Sequence, residues 1–179
     1  MKMPPSLRSF YFLRAGVAYV WVACVAAGQL GSGPLAAAAL AIYAGWDATA
    51  NAIDIKRNPL PGDFNRQINV AVSLVAGVAM AAGGVVGFRV SAIAFGAWAL
   101  LAGILQLLVG WRRRSAAAGQ VLMMLSGLQS AVAGAVFVRL GLVASPTIAD
   151  LFPYAAVGAT YFLASGLKLA WSERRAVVR

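Results

Sequence analysis

The sequence predicts an all-α integral membrane protein in which six transmembrane helices form three helical hairpins, with both termini on the cytoplasmic side. Three observations carry that prediction. The first is composition: 61% of the 179 residues are apolar, 11% are charged, and mean hydropathy is +0.80, which is not the balance of a soluble domain. The second is a series of apolar runs of about 20 residues, the length an α-helix needs to cross a hydrocarbon core of about 30 Å. The third is the gathering of basic residues into short clusters between those runs. A net charge of +10 therefore points to a membrane surface. Nucleic-acid binding would call for a basic face carrying aromatic or base-reading residues, and the sequence shows none.

The first helix runs from about Phe10 to Leu30. Lys2 and Arg8 before it, with Ala26, Ala27 and Gly28 at its end, also fit a secretory signal. Trp21, Val22, Ala23 and Cys24 match a lipoprotein cleavage site poorly, so the run is read as a retained span. The second helix runs from about Pro34, a good first-turn residue because its missing N–H has no helical partner there, to Ile55. The third and fourth cover about Ile68 to Val86 and Val90 to Gly110. The fifth covers about Ala117 to Phe137. The sixth, about Ile148 to Ala170, is preceded by Thr147, which with Asp150 resembles the start of a capping box. Pro153 falls in its first turns, where a kink costs least.

The outer turns, Gly31 to Gly33, Gly87 to Arg89 and Arg139 to Ser145, are short. Helices one and two, three and four, and five and six are therefore expected as hairpin units of about 10–57, 66–114 and 117–175, together making a single membrane domain over 1–179. Orientation follows from the basic residues. Thirteen of them (Lys2, Arg8, Arg14, Lys56, Arg57, Arg66, Arg112, Arg113, Arg114, Lys168, Arg174, Arg175 and Arg179) fall on one side and two, Arg89 and Arg139, on the other. The side with thirteen is cytoplasmic.

The even-numbered helices end alike. Trp46 to Arg57 reads WDATANAIDIKR, Trp98 onward reads WALLAGILQLLVGWRRR, and Tyr161 onward reads YFLASGLKLAWSERR. An aromatic residue is followed at its fourth and fifth positions by Ala50-Asn51, Ala102-Gly103 or Ser165-Gly166, and then by a basic end. The odd helices add Ala76-Gly77 and Ser126-Gly127. Small residues of this kind let helix backbones approach closely, and the recurrence suggests three units in parallel. In Phe95 to Arg114, FGAWALLAGILQLLVGWRRR, and Gly119 to Phe137, GQVLMMLSGLQSAVAGAVF, the chain resembles the HdeD-like bacterial acid-resistance membrane proteins, small six-helix proteins built from short hairpin repeats. The first unit departs from the pattern, with Asn51 where the others have Gly and with Asp47 and Asp54 where they have apolar residues. The resemblance implies a bacterial inner-membrane location and a role in acid stress or envelope maintenance.

The polar residues with most to say are Asp47, Asn51 and Asp54, which lie at i, i+4 and i+7 and share one helical face. Asp47 sits nine residues before Lys56, about 13 Å along the helix, too deep for its short side chain to reach water unaided. It must be paired, protonated or open to a cavity. Arg14, on the antiparallel first helix, is the candidate partner. A bridge that merely fixes the first hairpin, a protonatable or ion-coordinating site, and a contact with another subunit or with lipid headgroups all remain open. Asp54 could reach the headgroups. Asn69, Gln106, Gln120 and Gln129 are read as interhelical packing amides, and Lys168 as a snorkelling side chain.

The chain has no histidine and a single cysteine, Cys24, inside an apolar run. The thiol is read as a packing residue, and the usual general base and metal ligand are missing. No phosphate loop, metal-ligand set or nucleophile–base arrangement is present, and the loops are too short for a soluble catalytic domain. No enzyme, metal or cofactor is expected. Asp150 is the one carboxylate expected on the outer side, and ordinary carboxyls titrate near about pH 4. Three functions fit: the acid-stress or envelope protein of the resemblance, an accessory or assembly subunit of a larger membrane complex, and a small transporter or proton conductor using Asp47. The expected partners are the lipid bilayer and a homo-oligomer or membrane-complex partner.

Overall fold

A computed structural model describes residues 5–57, 59, 64–112, 114 and 120–177. Among these the regular structure is helical: α1 (Pro5–Gly28), α2 (Pro34–Arg57), α3 (Phe64–Val86), α4 (Phe88–Arg112), α5 (Gln120–Val143) and α6 (Ile148–Val177). Lys2, Asp63, Arg113, Ser115, Arg179 and the expected start of the fifth helix at Ala117 lie outside the described residues.

Four of the six helices are long and apolar enough to cross a membrane: Arg8–Gly28 of α1, and α3, α4 and α5. The other two, α2 and α6, are as long but carry more polar residues, Asp47, Asn51 and Asp54 in the first and Asp150, Thr160 and Ser165 in the second. The surface supports a membrane setting. Along α5, Val121, Leu125, Leu128, Val132 and Val136 are all exposed, and on α3 so are Leu74, Val75, Val78 and Val85. Continuous apolar faces on this scale suit a hydrocarbon solvent and not water.

Where the helices end follows from local chemistry. Pro34 opens α2 as a first-turn proline should. Between α3 and α4 only Gly87 intervenes, at φ 135°, a conformation that side chains with a Cβ rarely adopt. Gly31 and Gln29 also take positive φ in the turn before α2. Thr147 precedes α6, and its N–H and hydroxyl both donate to the Asp150 carboxylate, at 2.8 and 3.0 Å, which answers one orphan donor of the helix start. The fifth helix runs six residues beyond the expected Phe137, to Val143, so Arg139 lies in the helix and not in the turn. That extension is held by Arg89, whose guanidinium donates to the carbonyls of Gly141 at 3.1 Å and Leu142 at 2.6 Å. A cation there complements the carbonyl end of the helix.

The closest packing runs between α4 and α5, between α2 and α3, and between α1 and α6. Of the pairs joined by the short outer turns, α3 and α4 approach nearly as closely as α1 and α6, whereas α1 with α2 and α5 with α6 pack much less; for α4–α5 and α2–α3 the reason is where the glycines lie. Gly96, Gly103 and Gly110 recur at seven-residue spacing on α4, as do Gly127, Gly134 and Gly141 on α5. A strict seven-residue repeat of small residues makes a straight seam along a slightly supercoiled pair. A Cβ built on Gly96 would lie 2.8 Å from the Gly134 carbonyl oxygen, and one on Gly103 would lie 2.6 Å from that of Gly127. On α3, Gly77 and Gly84 likewise face Ala44 and Ala37 of α2, with Cβ contacts of 3.7 and 3.3 Å.

The core centres on Leu40, Met80, Phe95 and Leu151, none of them measurably exposed, and on a chain of rings. Trp21 stacks on Tyr43 at 4.6 Å, Trp98 meets Tyr43 edge-on at 5.9 Å, and Phe95 meets Tyr154 edge-on at 5.6 Å. Cys24 is exposed and not packed in the core. The buried stripe of α1 is Ala15, Ala18 and Val25, and at 100° per residue Cys24 falls well to one side of it.

Candidate functional site

The polar cluster around Asp47 is assembled by three helices of opposing register. On α2, Asp47, Asn51 and Asp54 share one face; on the antiparallel α3, Arg66, Asn69 and Ser73 share another by the same spacing. Pairing the two stripes sets Arg66 against Asp54 and Ser73 against Asp47. The third helix, α1, supplies Arg14.

Asp47 is 8% exposed. Its Oδ1 receives the Arg14 guanidinium in a salt bridge. Its Oδ2 accepts from Ser73 Oγ at 2.9 Å, from Asn51 Nδ2 at 3.0 Å and from Asn69 Nδ2 at 3.3 Å. Among the described residues four donors and no acceptor meet the carboxyl group, the arrangement suited to an ionised carboxylate with its roughly four lone-pair sites. The charge is thus answered twice, by an opposite charge and by neutral donors, as a buried ion requires.

A surrounding layer orients these partners. The Trp98 indole N–H donates to Ser73 Oγ at 2.9 Å, which turns the serine proton toward Asp47. Asn51 also donates to the Asp47 backbone carbonyl at 2.8 Å, and its own Oδ1 lies 3.5 Å from Arg14 Nη1. The Arg14 guanidinium sits 4.3 Å from the centroid of the Phe162 ring and 5.8 Å from that of Phe10, contacts in which the ring face attracts the cation. Arg14 Nε and Asn69 Oδ1 are buried with no hydrogen-bond partner among the described residues.

Two further ion pairs lie nearer the helix ends that carry the basic clusters. Asp54 pairs with Arg66 at 2.6 Å, so its carboxylate is held by α3 and does not extend away from the bundle. Arg8 pairs with Glu173 at 2.7 Å, joining the start of α1 to the end of α6.

The small residues singled out in the sequence fall on seams to different degrees. Gly103 and Gly127 meet each other, and Gly77 faces α2. Gly166 receives the Phe12 ring, with a built Cβ 3.1 Å from Cε1. Ala76, Ser126 and Ser165 are buried, whereas Ala102 is only half-buried. Asp150 is exposed at the end away from the Asp47 cluster, where it caps α6.

Ser73, Gly96 and Gly134 were not singled out by sequence; Arg66 entered only as a basic residue of the cytoplasmic side and Trp98 only as the aromatic of the repeat, neither as a member of this cluster. A signal exists for Ser73, Arg66 and the two glycines. Arg66, Asn69 and Ser73 repeat the i, i+3, i+7 stripe of α2 in reverse, and the glycines repeat every seven residues. For Trp98 the repeat marks the position but not its bond to Ser73, because an aromatic in an apolar run is core by default.

Residues 70–139 match a family described as a short repeat of unknown function (DUF308), the family to which HdeD belongs. The matched stretch takes in most of α3, all of α4 and most of α5, and it contains Ser73 and all of the glycine seam except Gly141, but neither Arg14 nor Asp47. No curated protein and no solved structure matches the chain.

Proposed function

We propose that this chain is an HdeD-like, non-enzymatic protein of the bacterial inner membrane, crossing it six times with both termini in the cytoplasm and serving acid-stress survival or envelope maintenance. The observation that carries the reading is the match of residues 70–139 to the repeat family. The Asp47 cluster supports it. With all four donors supplied by the fold itself, this carboxylate serves to hold α1, α2 and α3 together, and a transported ion or proton would have to displace its partners one by one. The length of α2 and α6, together with the inward position of Asp47 and the outward Leu35 and Ile42 on α2, supports the six-span reading. Its partners on this reading are the bilayer and other copies or membrane proteins, not nucleic acid.

The test is survival of a deletion strain after acid challenge. Lower survival than the parent is expected, restored by the wild-type gene. Equal survival of parent and deletion strain would remove the acid-stress role. Complementation by an Arg14→Gln, Asp47→Asn double variant then distinguishes a bridge from a conducting site, because only the bridge reading predicts rescue.

A further inference from the structure

We propose that a groove between α1, α5 and α6 is a binding site for one anionic phospholipid, with an acyl chain in the groove and the phosphate at Lys168. The groove has a volume of about 480 Å³ and is lined by Tyr19 of α1, Leu122 of α5, and Ala156, Val157, Thr160, Tyr161 and Ala164 of α6. Its walls are apolar apart from hydroxyls, and the Tyr19 and Thr160 hydroxyls bond each other at 2.9 Å. Thr160 also donates to its own helix, to the Ala156 carbonyl at 2.9 Å. With the Tyr19 and Thr160 hydroxyls engaged, the groove offers mainly hydrocarbon contact.

The polar part lies along the same helix face. Val157, Tyr161, Ala164, Lys168, Trp171 and Arg175 follow one another at three- and four-residue steps, so the stripe that lines the groove continues directly to two cations. Lys168 is exposed and makes no ion pair among the described residues. The Arg175 guanidinium rests 4.1 Å from the Trp171 ring centroid, and tryptophan at that position suits the headgroup level. From Val157 to Lys168 is about 16 Å at the helical rise, close to half the hydrocarbon thickness of about 30 Å. The lining on α6 ends at Ala164, so on this reading an acyl chain lies within one leaflet and its phosphate one helical turn further on, at Lys168. A zwitterionic headgroup would bring its own cation to Lys168, whereas an anionic one leaves the phosphate charge for it.

The full-length protein in mild detergent is offered equimolar phosphatidylglycerol and phosphatidylcholine with matched acyl chains, and retained lipid is read by native mass spectrometry. One phosphatidylglycerol per chain is expected at about fivefold the phosphatidylcholine signal, the preference one lysine near the headgroups can supply. Lys168→Gln should bring the two lipids level without reducing phosphatidylcholine. Ala164→Trp, which fills the groove, should lose both; Val157→Phe serves the same purpose if that variant does not fold. Equal retention of the two lipids by the wild type overturns the proposal, as does a preference unchanged in Lys168→Gln. A lipid-free dimer whose contact is lost in Ala164→Trp would also overturn it, by assigning the groove to a second copy.

Discussion

Gly103 of α4 and Gly127 of α5 face each other so closely that a side chain on either would enter the backbone of the partner helix. A Cβ on Gly103 meets the Gly127 carbonyl oxygen at 2.6 Å, and one on Gly127 meets the Gly103 carbonyl oxygen at 2.8 Å. Neither obstacle is a movable side chain, so relief requires the helices to separate along the whole seam.

Gly103→Val is therefore expected to destabilise the protein by about 1–3 kcal/mol or more, the usual cost of overpacking, and Gly134→Val to do the same. Gly158→Ala is the control, because nothing lies within 4 Å of the position a Cβ would take there. Thermal melting in detergent reads all three. A Gly103→Val variant as stable as the wild type would show that the seam is looser than described.

Replacing Arg14 by Gln or Asp47 by Asn leaves an unanswered buried charge, which typically costs about 3–5 kcal/mol. Each single variant should melt at a lower temperature, and the double variant should recover most of the loss. Strictly additive losses would refute the energetic coupling of the pair. Trp98→Phe keeps the ring packing but removes the donor to Ser73; a smaller loss, about 1 kcal/mol, is expected from one neutral hydrogen bond.

Topology is read by thiol labelling in a Cys24→Ser background, which is needed because Cys24 is exposed. Cysteines at Ser32 and Ser145, in the turns before α2 and α6, should react with an impermeant reagent from the periplasm, and one at Ser115 should not. Labelling at Ser32 only from the cytoplasm would reverse the orientation.

Asp150 combines an exposed carboxylate with a cap on α6. Asp150→Asn keeps an oxygen that can accept from Thr147, so the helix should lose less than about 1 kcal/mol. If Asp150 is the acid-sensing group of the outer side, the same change abolishes any survival benefit at low pH. Survival equal to wild type in a stably folded Asp150→Asn protein removes it from that role.

What the sequence by itself determined is the number and placement of the helices, because apolar runs, Pro34, Gly87 and the Thr147–Asp150 pair act locally and leave their marks in order along the chain. It also singled out Asp47 as a residue in need of a partner and Arg14 as the candidate, since depth along a helix can be counted from residue numbers. Only the tertiary structure decided which helices pack most closely. The short turns bring α1 to α2 and α5 to α6, but the glycine seam draws α4 onto α5 and the small residues of α3 receive α2. It also decided how Asp47 is satisfied. A serine and a tryptophan from helices 26 and 51 residues further along the chain complete its shell, and no local rule links such distant positions. The physical reason is the same in both cases: helix formation is set by neighbours in sequence, whereas backbone approach and the compensation of a buried charge depend on atoms that only the folded bundle brings together.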